Sequence, residues 1–241
     1  MVNKLISIAA DEVGYIEKRS CEGLDSKMGN AGSSNYTKYW RDVAPSFQGQ
    51  PWCACFVTWV MDRAFGKSAA KALLGHYPFV YCPTLATIGK GRLHTYTDAA
   101  PGDVALFYSS GTFCHTGIVV SNTNGVITTI EGNTTSGSSL VANGGGVARK
   151  TYSHSYFKTN KSGTRFYRPD YSILQEDTMT NEQVKAIARE ATADIINAIG
   201  KDISTLTERL TKLEALVDKR NEQIWETNCR IDDIIRDKGE R

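Results

Sequence analysis

The chain has 241 residues, of which 41% are hydrophobic and 22% charged, with a formal net charge of +2. These values suit one or two globular domains, and so weak a positive balance offers no basic face for nucleic acid. No stretch approaches the ~20 consecutive apolar residues of a membrane span.

The apolar start at Met1–Ile8 is interrupted by Asp11 and Glu12. A secretory signal is therefore not expected, and the protein is expected to be made and held in the cytoplasm until released. The six cysteines are irregularly spaced and form no CxxC pair. Neither a disulfide framework nor a structural zinc is expected, and every cysteine except Cys53 reads as a small hydrophobe.

The spacing of Leu5, Ile8, Ala9 and Val13 predicts a helix over 3–13. Residues 30–39 are polar and turn-rich, then aromatic. Phe56, Val57, Trp59, Val60, Ala64 and Phe65 predict an amphipathic helix that starts at or just after Pro51-Trp52, since proline is well suited to a helix start. After Pro101-Gly102 the period changes. Short β-branched or aromatic runs at 104–108, 115–121, 126–131 and 146–150 predict strands, and Asn124-Gly125 is a strong hairpin signal. The fold class is therefore α+β, a helical half followed by an antiparallel half.

Composition breaks near Arg168-Pro169-Asp170-Tyr171. Residues 1 to about 172 hold all six prolines, and Trp225 is the only aromatic residue after them. The expected domains are 1–172, a linker at 173–180, and a helical region at 181–241. In that last region Ile196, Ile203, Leu210, Val217, Ile224 and Ile231 fall at heptad position a. Position d holds Ile199, Leu206, Leu213, Arg220, Thr227 and Ile234. This pattern predicts a coiled coil and a homo-oligomer through residues 196–234. Thr180 with Gln183 is a candidate cap upstream. The run Gln175–Met179 is compatible with an internal start at Met179, which would yield a tail-only fragment that co-assembles with the full chain.

A cysteine nucleophile needs thiolate character, access, and a base held in orientation. Cys53 is at the expected N-terminus of a helix, where unpaired N–H groups favour an anion. Cys55 points to another face. His115 begins a predicted strand, whereas His76, His94 and His154 lie in turn-rich surroundings. Glu131 and Asn133 follow the next strand, and either can accept the second ring N–H of His115 and fix its tautomer.

Several ordered motifs over residues 1–171 resemble the CHAP (cysteine, histidine-dependent amidohydrolase/peptidase) family. They include Glu12-Val13-Gly14-Tyr15 with Glu17-Lys18, Asn35-Tyr36-Thr37-Lys38-Tyr39, and Pro51-Trp52-Cys53-Ala54-Cys55-Phe56. Further along come Ala100-Pro101-Gly102-Asp103-Val104, Cys114-His115-Thr116-Gly117-Ile118-Val119, Ile130-Glu131-Gly132-Asn133-Thr134 and Arg165-Phe166-Tyr167-Arg168-Pro169-Asp170. The resemblance implies a papain-like fold, with a nucleophile helix packed on a small antiparallel sheet. It implies peptidoglycan as partner and an amide bond as target, cut as an N-acetylmuramoyl-L-alanine amidase or as an endopeptidase. It also implies Cys53 as nucleophile, His115 as base, Glu131 as its orienter, Asn133 as an assisting residue, and Gln48 or Gln50 as a further oxyanion donor.

No cofactor is expected. Some family members hold calcium in an acidic loop, but Asp25 is the only acid between Gly23 and Asn35 here. A phage-type endolysin is the leading expectation. A host autolysin, a phage tail hydrolase, an NlpC-type peptidase and a non-catalytic multimeric wall-binding scaffold are the alternatives.

Overall fold

The computed structural model describes residues 1–174 and 181–239, the side chains of 181–184, 187, 233–235 and 237–239 excepted. The chain forms two compact units, Met1–Glu176 and Asp177–Arg241. Met179, the Thr180–Gln183 cap and the Ile234 side chain lie outside the described residues, as does most of the expected linker.

The first unit opens with α1 (Val2–Asp11), then α2 (Lys38–Val43), α3 (Cys53–Phe65), α4 (Lys67–Leu74) and α5 (Cys82–Ile88). A six-stranded antiparallel sheet follows: β1 (Leu93–His94), β2 (Val104–Ser109), β3 (Thr112–Thr123), β4 (Val126–Thr134), β5 (Gly146–Ser153) and β6 (Arg165–Tyr167). Its strand order is β1-β6-β2-β3-β4-β5, and α6 (His154–Thr159) interrupts the last connection. The β3–β4 hairpin turns at Asn124 (φ 52°) and Gly125 (φ 75°), the two positive dihedrals a tight primed turn requires.

The helix α3 differs from the amphipathic reading. Residues from Cys53 to Met61 are all buried, and so is Ala64. It packs on β3 and β4 on one side and on α1, α2 and α4 on the other. A helix that is apolar nearly all round is a central core element. Around its start Tyr39 stacks on Trp52 at 5.2 Å and meets Phe56 and Trp59 edge-on. This aromatic cluster anchors the end of the helix that carries Cys53.

Strand periodicity splits the core in two. Val104, Leu106, Ile118 and Ile130 face α3. Ala105, Phe107, Val119 and Ile127 face the opposite side, where Tyr152, Phe157 and Phe166 cover them. With both faces covered, the strands β3 and β4 are rigid mounts for whatever they carry.

The second unit is one helix, α7 (Asn181–Gly239), of 59 residues. At 1.5 Å per residue it is about 88 Å long. Its described a and d aliphatic side chains, from Ile196 to Ile231, are 47% to 62% exposed. Among the described residues no helix is long and apolar enough to cross a membrane.

Candidate active site

Cys53 is the first residue of α3, and the chain leading into it is pinned from behind. Trp52 donates its indole N–H to Glu17 Oε2 at 2.8 Å, and Glu17 Oε1 accepts the Asn35 N–H at 3.1 Å. The neighbouring Lys18 is fully buried, its ammonium donating to the carbonyls of Ile16 and Lys27 and lying 4.3 Å from the Tyr15 ring centroid. A charge is tolerated in such a place only with its donors occupied. Glu17 and Lys18 thus organise the loop that backs the residue before Cys53.

Cys53 is 6% exposed, in the wall of a groove of about 770 Å³. Trp40, Phe47, Gln50, Tyr81, Cys82, Phe113 and Cys114 also line the groove, and none of its lining residues is charged.

His115 is inside β3, paired with Phe107 of β2 beside a bulge at Phe107/Tyr108. Its Nε2 lies 2.9 Å from Glu131 Oε2, and both side chains are fully buried. Glu131 Oε1 accepts the Thr129 hydroxyl at 2.6 Å and the Tyr152 hydroxyl at 3.0 Å. The carboxylate is therefore fixed by three partners, and Nε2–H donates to it. His115 Nδ1 has no hydrogen-bond partner among the described residues. It is the ring nitrogen that Glu131 does not engage.

The titration of the pair agrees with that arrangement. Contact with the Cys82 thiol holds the Cys53 thiol well below its usual range; burial opposes this, and the His115 imidazole reinforces it. Burial pushes His115 down, yet Cys53 and Glu131 outweigh it and raise the imidazole to about 9. Both shifts favour a thiolate beside an imidazolium. Cys55 is the converse, since burial pushes its thiol well up and leaves it uncharged.

Two glycines of the motifs have a packing reason. Gly117 lies opposite Glu131 across the β3–β4 ladder, one step on from the Ile118–Ile130 pair. A Cβ there would sit 2.4 Å from Glu131 Cγ. At Gly132 a Cβ would sit 2.6 Å from Phe56 Cβ and 2.8 Å from Trp52 Cζ3. The first absence lets the carboxylate reach His115. The second lets β4 close onto α3.

The structure brings Cys53, His115 and Glu131 together, but it does not bring Asn133 onto the ring. Asn133 stands in a bulge of β4 with φ 56°. Its Oδ1 accepts the Gly145 N–H at 3.3 Å, and its Nδ2 is buried without a partner among the described residues. The left-handed backbone turns its side chain toward the following loop. Gln48 is corrected too, because both ends of its amide are engaged by the Thr37 backbone at 2.9 and 3.0 Å. Gln50 does line the groove.

Four residues were missed from the sequence. Thr129 shares Glu131's face at strand period two, which was a legible signal. Tyr152 and Cys82 reach the site from distant elements and give none, while Glu17 stands in the Glu17-Lys18 motif with no role assigned to it. Asp25 forms a two-pronged pair with Arg41 at 2.8 Å. Among the described residues no group of three or more His, Cys, Asp or Glu side chains is placed to hold a metal ion.

Residues 45–133 match the CHAP domain family. The matched segment contains Cys53, His115, Glu131 and Asn133, while the segments before 45 and after 133 lie outside it.

No curated protein matches the chain. Two solved structures of Ly7917, one of them with the hydrolysing product of MDP, align with 70% of this chain at 12% identity and TM-scores of 0.35 and 0.36. The chain spans 62% and 63% of the lengths of those two proteins.

Proposed function

We propose that the protein is a phage-type peptidoglycan hydrolase that cuts an amide bond of the bacterial cell wall by a thiol mechanism. The observation that carries the reading is the fully buried His115–Glu131 pair at 2.9 Å, coupled to a thiol in the wall of an open groove. A structural histidine has no need of three groups to set its tautomer.

In this mechanism Cys53 attacks the amide carbonyl as the thiolate, its proton residing on His115 Nδ1. The free N–H groups at the start of α3, with Gln50 from the groove wall, receive the developing oxyanion. His115 then protonates the leaving amine, and water, deprotonated by the same imidazole, hydrolyses the thioester. Glu131 keeps Nε2 protonated and stabilises the imidazolium. Thr129 and Tyr152 keep Glu131 aimed. Asn133 supports the β4 bulge beside Glu131.

The tail belongs to the same proposal. A helix of 59 residues with an aliphatic seam about half exposed is stabilised by a partner helix, and a second copy of itself offers the matching heptads. Several groove-bearing heads on one assembly would gain avidity on a polymeric wall. Co-assembly with a fragment beginning at Met179 stays part of this proposal.

The test is loss of turbidity of purified Gram-positive walls. The wild type is expected to clear them and Cys53→Ala to lose clearing by at least 10³-fold, on the order seen when a catalytic nucleophile is removed. Equal clearing by both would overturn the assignment. Mass analysis of the released fragments separates amidase from endopeptidase.

A further inference from the structure

Cys82 forms no bond to substrate in that mechanism, yet its Sγ lies 4.0 Å from Cys53 Sγ. The two thiols come from the first residues of α5 and α3, and both line the groove. Their residues are 5% and 6% exposed, so bulky reagents are restricted while a small oxidant entering the groove reaches them. The other buried cysteine of α3, Cys55, does not line the groove. Cys114 does, but its thiol is directed at the Phe107 carbonyl, 3.7 Å away.

The two sulfurs also differ in protonation. Cys53 is held toward thiolate, whereas contact with Cys53 and burial push Cys82 well above the usual thiol range. Thiolates react with peroxides to sulfenic acids, and a sulfenic acid beside a thiol condenses to a disulfide.

We propose that Cys53 and Cys82 form an oxidative modification site, in which hydrogen peroxide oxidises Cys53 and Cys82 closes a reversible disulfide with it. The Cys53 thiolate attacks one peroxide oxygen and the O–O bond breaks. The departing hydroxide takes the proton held on His115 and leaves as water, and Cys53 becomes a sulfenic acid. The Cys82 sulfur then attacks the Cys53 sulfur. An S–S bond forms, the S–O bond breaks, and the leaving hydroxide takes the Cys82 proton as a second water. The two thiols together lose two electrons and the peroxide gains two. A disulfide is about 2.05 Å long, so the sulfurs draw in by roughly 2 Å, within reach of side-chain rotation at two helix starts. The product has no nucleophile and is protected from oxidation to sulfinic acid, which is irreversible for an ordinary cysteine.

The consequence for activity rests on the reading of Cys53 as nucleophile; the linkage itself does not. The full-length reduced protein is treated with hydrogen peroxide, remaining thiols are alkylated after denaturation, and the digest is read by mass spectrometry. Wall clearing is followed before treatment, after it, and after dithiothreitol. The expected result is a Cys53–Cys82 linked peptide, loss of clearing by at least tenfold, and recovery of most of it on reduction. Cys82→Ser, measured against its own untreated activity, is expected to recover several-fold less, with Cys53 found as sulfinic or sulfonic acid.

Absence of the linked peptide, a Cys53–Cys114 link in its place, or equal recovery by Cys82→Ser would each overturn the proposal. The wild-type linkage decides the matter if Cys82→Ser does not fold. Clearing by Cys53→Ala would instead remove the functional reading and leave the linkage result standing.

Discussion

Replacing Glu131 by glutamine tests the site at its most constrained atom. The two side chains have nearly the same shape, so β4 and its packing on α3 are kept. Thr129 and Tyr152 both donate to Oε1, at 2.6 and 3.0 Å. A glutamine satisfies both only with its carbonyl oxygen there, and its NH₂ then faces His115 Nε2 in place of a carboxylate oxygen. A donor facing Nε2 requires Nε2 to accept, so the ring proton moves to Nδ1. The nitrogen meant to take the Cys53 proton is then occupied.

The imidazolium also loses its counter-charge. His115 stands at about 9 against an ordinary 6.5, which corresponds to about 3 kcal/mol of net preference for the charged ring at 1.36 kcal/mol per pH unit. Cys53 and Glu131 share that preference, and without the carboxylate burial works against the charge. Glu131→Gln is therefore expected to lower wall clearing by on the order of 10²–10⁴-fold, the range for a base held in the wrong tautomer. The alkaline limb of the activity profile should move from about 9 toward neutrality. Stability should change by less than the ~3–5 kcal/mol of breaking a buried pair, since every Oε1 donor keeps its partner. The assays are wall turbidity across pH, thermal unfolding, and the pH dependence of Cys53 alkylation. A variant that folds, clears walls within threefold of wild type and keeps its alkaline limb near 9 would refute the tautomer argument.

The rate of Cys53 alkylation by iodoacetamide should stay high well below the ordinary thiol range, as its depressed pKa requires. A profile rising only near pH 8.5–9 would contradict the ion pair. The stability linked to His115 is fully present below 6.5 and is lost as pH rises through about 9, because its folded value is raised. That linked to Cys53 runs the other way, present above the ordinary thiol value and lost as pH falls through the depressed one. Between pH 7 and pH 10 the two act in opposite directions, so the urea midpoint is expected to move much less than either alone would move it, and a large shift in either direction would contradict the pairing.

Gly132→Ala places a methyl 2.6 Å from Phe56 Cβ and should cost about 1–3 kcal/mol by overpacking, seen as a lowered denaturation midpoint together with reduced clearing. Gly117→Ala collides with Glu131 Cγ at 2.4 Å and should lower clearing more than it lowers the melting temperature. In the tail, Leu210→Asp puts a charge in the proposed seam and should shift the sedimenting species to monomer; an unchanged mass would remove the oligomer proposal.

The sequence by itself determined the periods and the local chemistry. Strand runs with a period of two, Asn124-Gly125 at a hairpin and heptads from Ile196 onward are properties of neighbouring residues. So is a cysteine just past Pro51-Trp52. The predicted strands single out His115 among four histidines, with Glu131 or Asn133 behind it, and a family resemblance spread over ordered motifs then attaches roles to them. It named Asn133 equally, although the backbone turn at the β4 bulge carries that side chain toward Gly145.

What only the tertiary structure decided is which groups from distant segments meet. Helix α3 is a core helix, not an amphipathic one, because the sheet closes on one side of it while α1, α2 and α4 cover the other. Tyr152 and Thr129 steady Glu131, Glu17 holds Trp52, and Cys82 touches Cys53. No periodicity encodes a contact between residues 29 positions apart, such as Cys53 and Cys82. That contact exists because α3 and α5 both begin at the same groove.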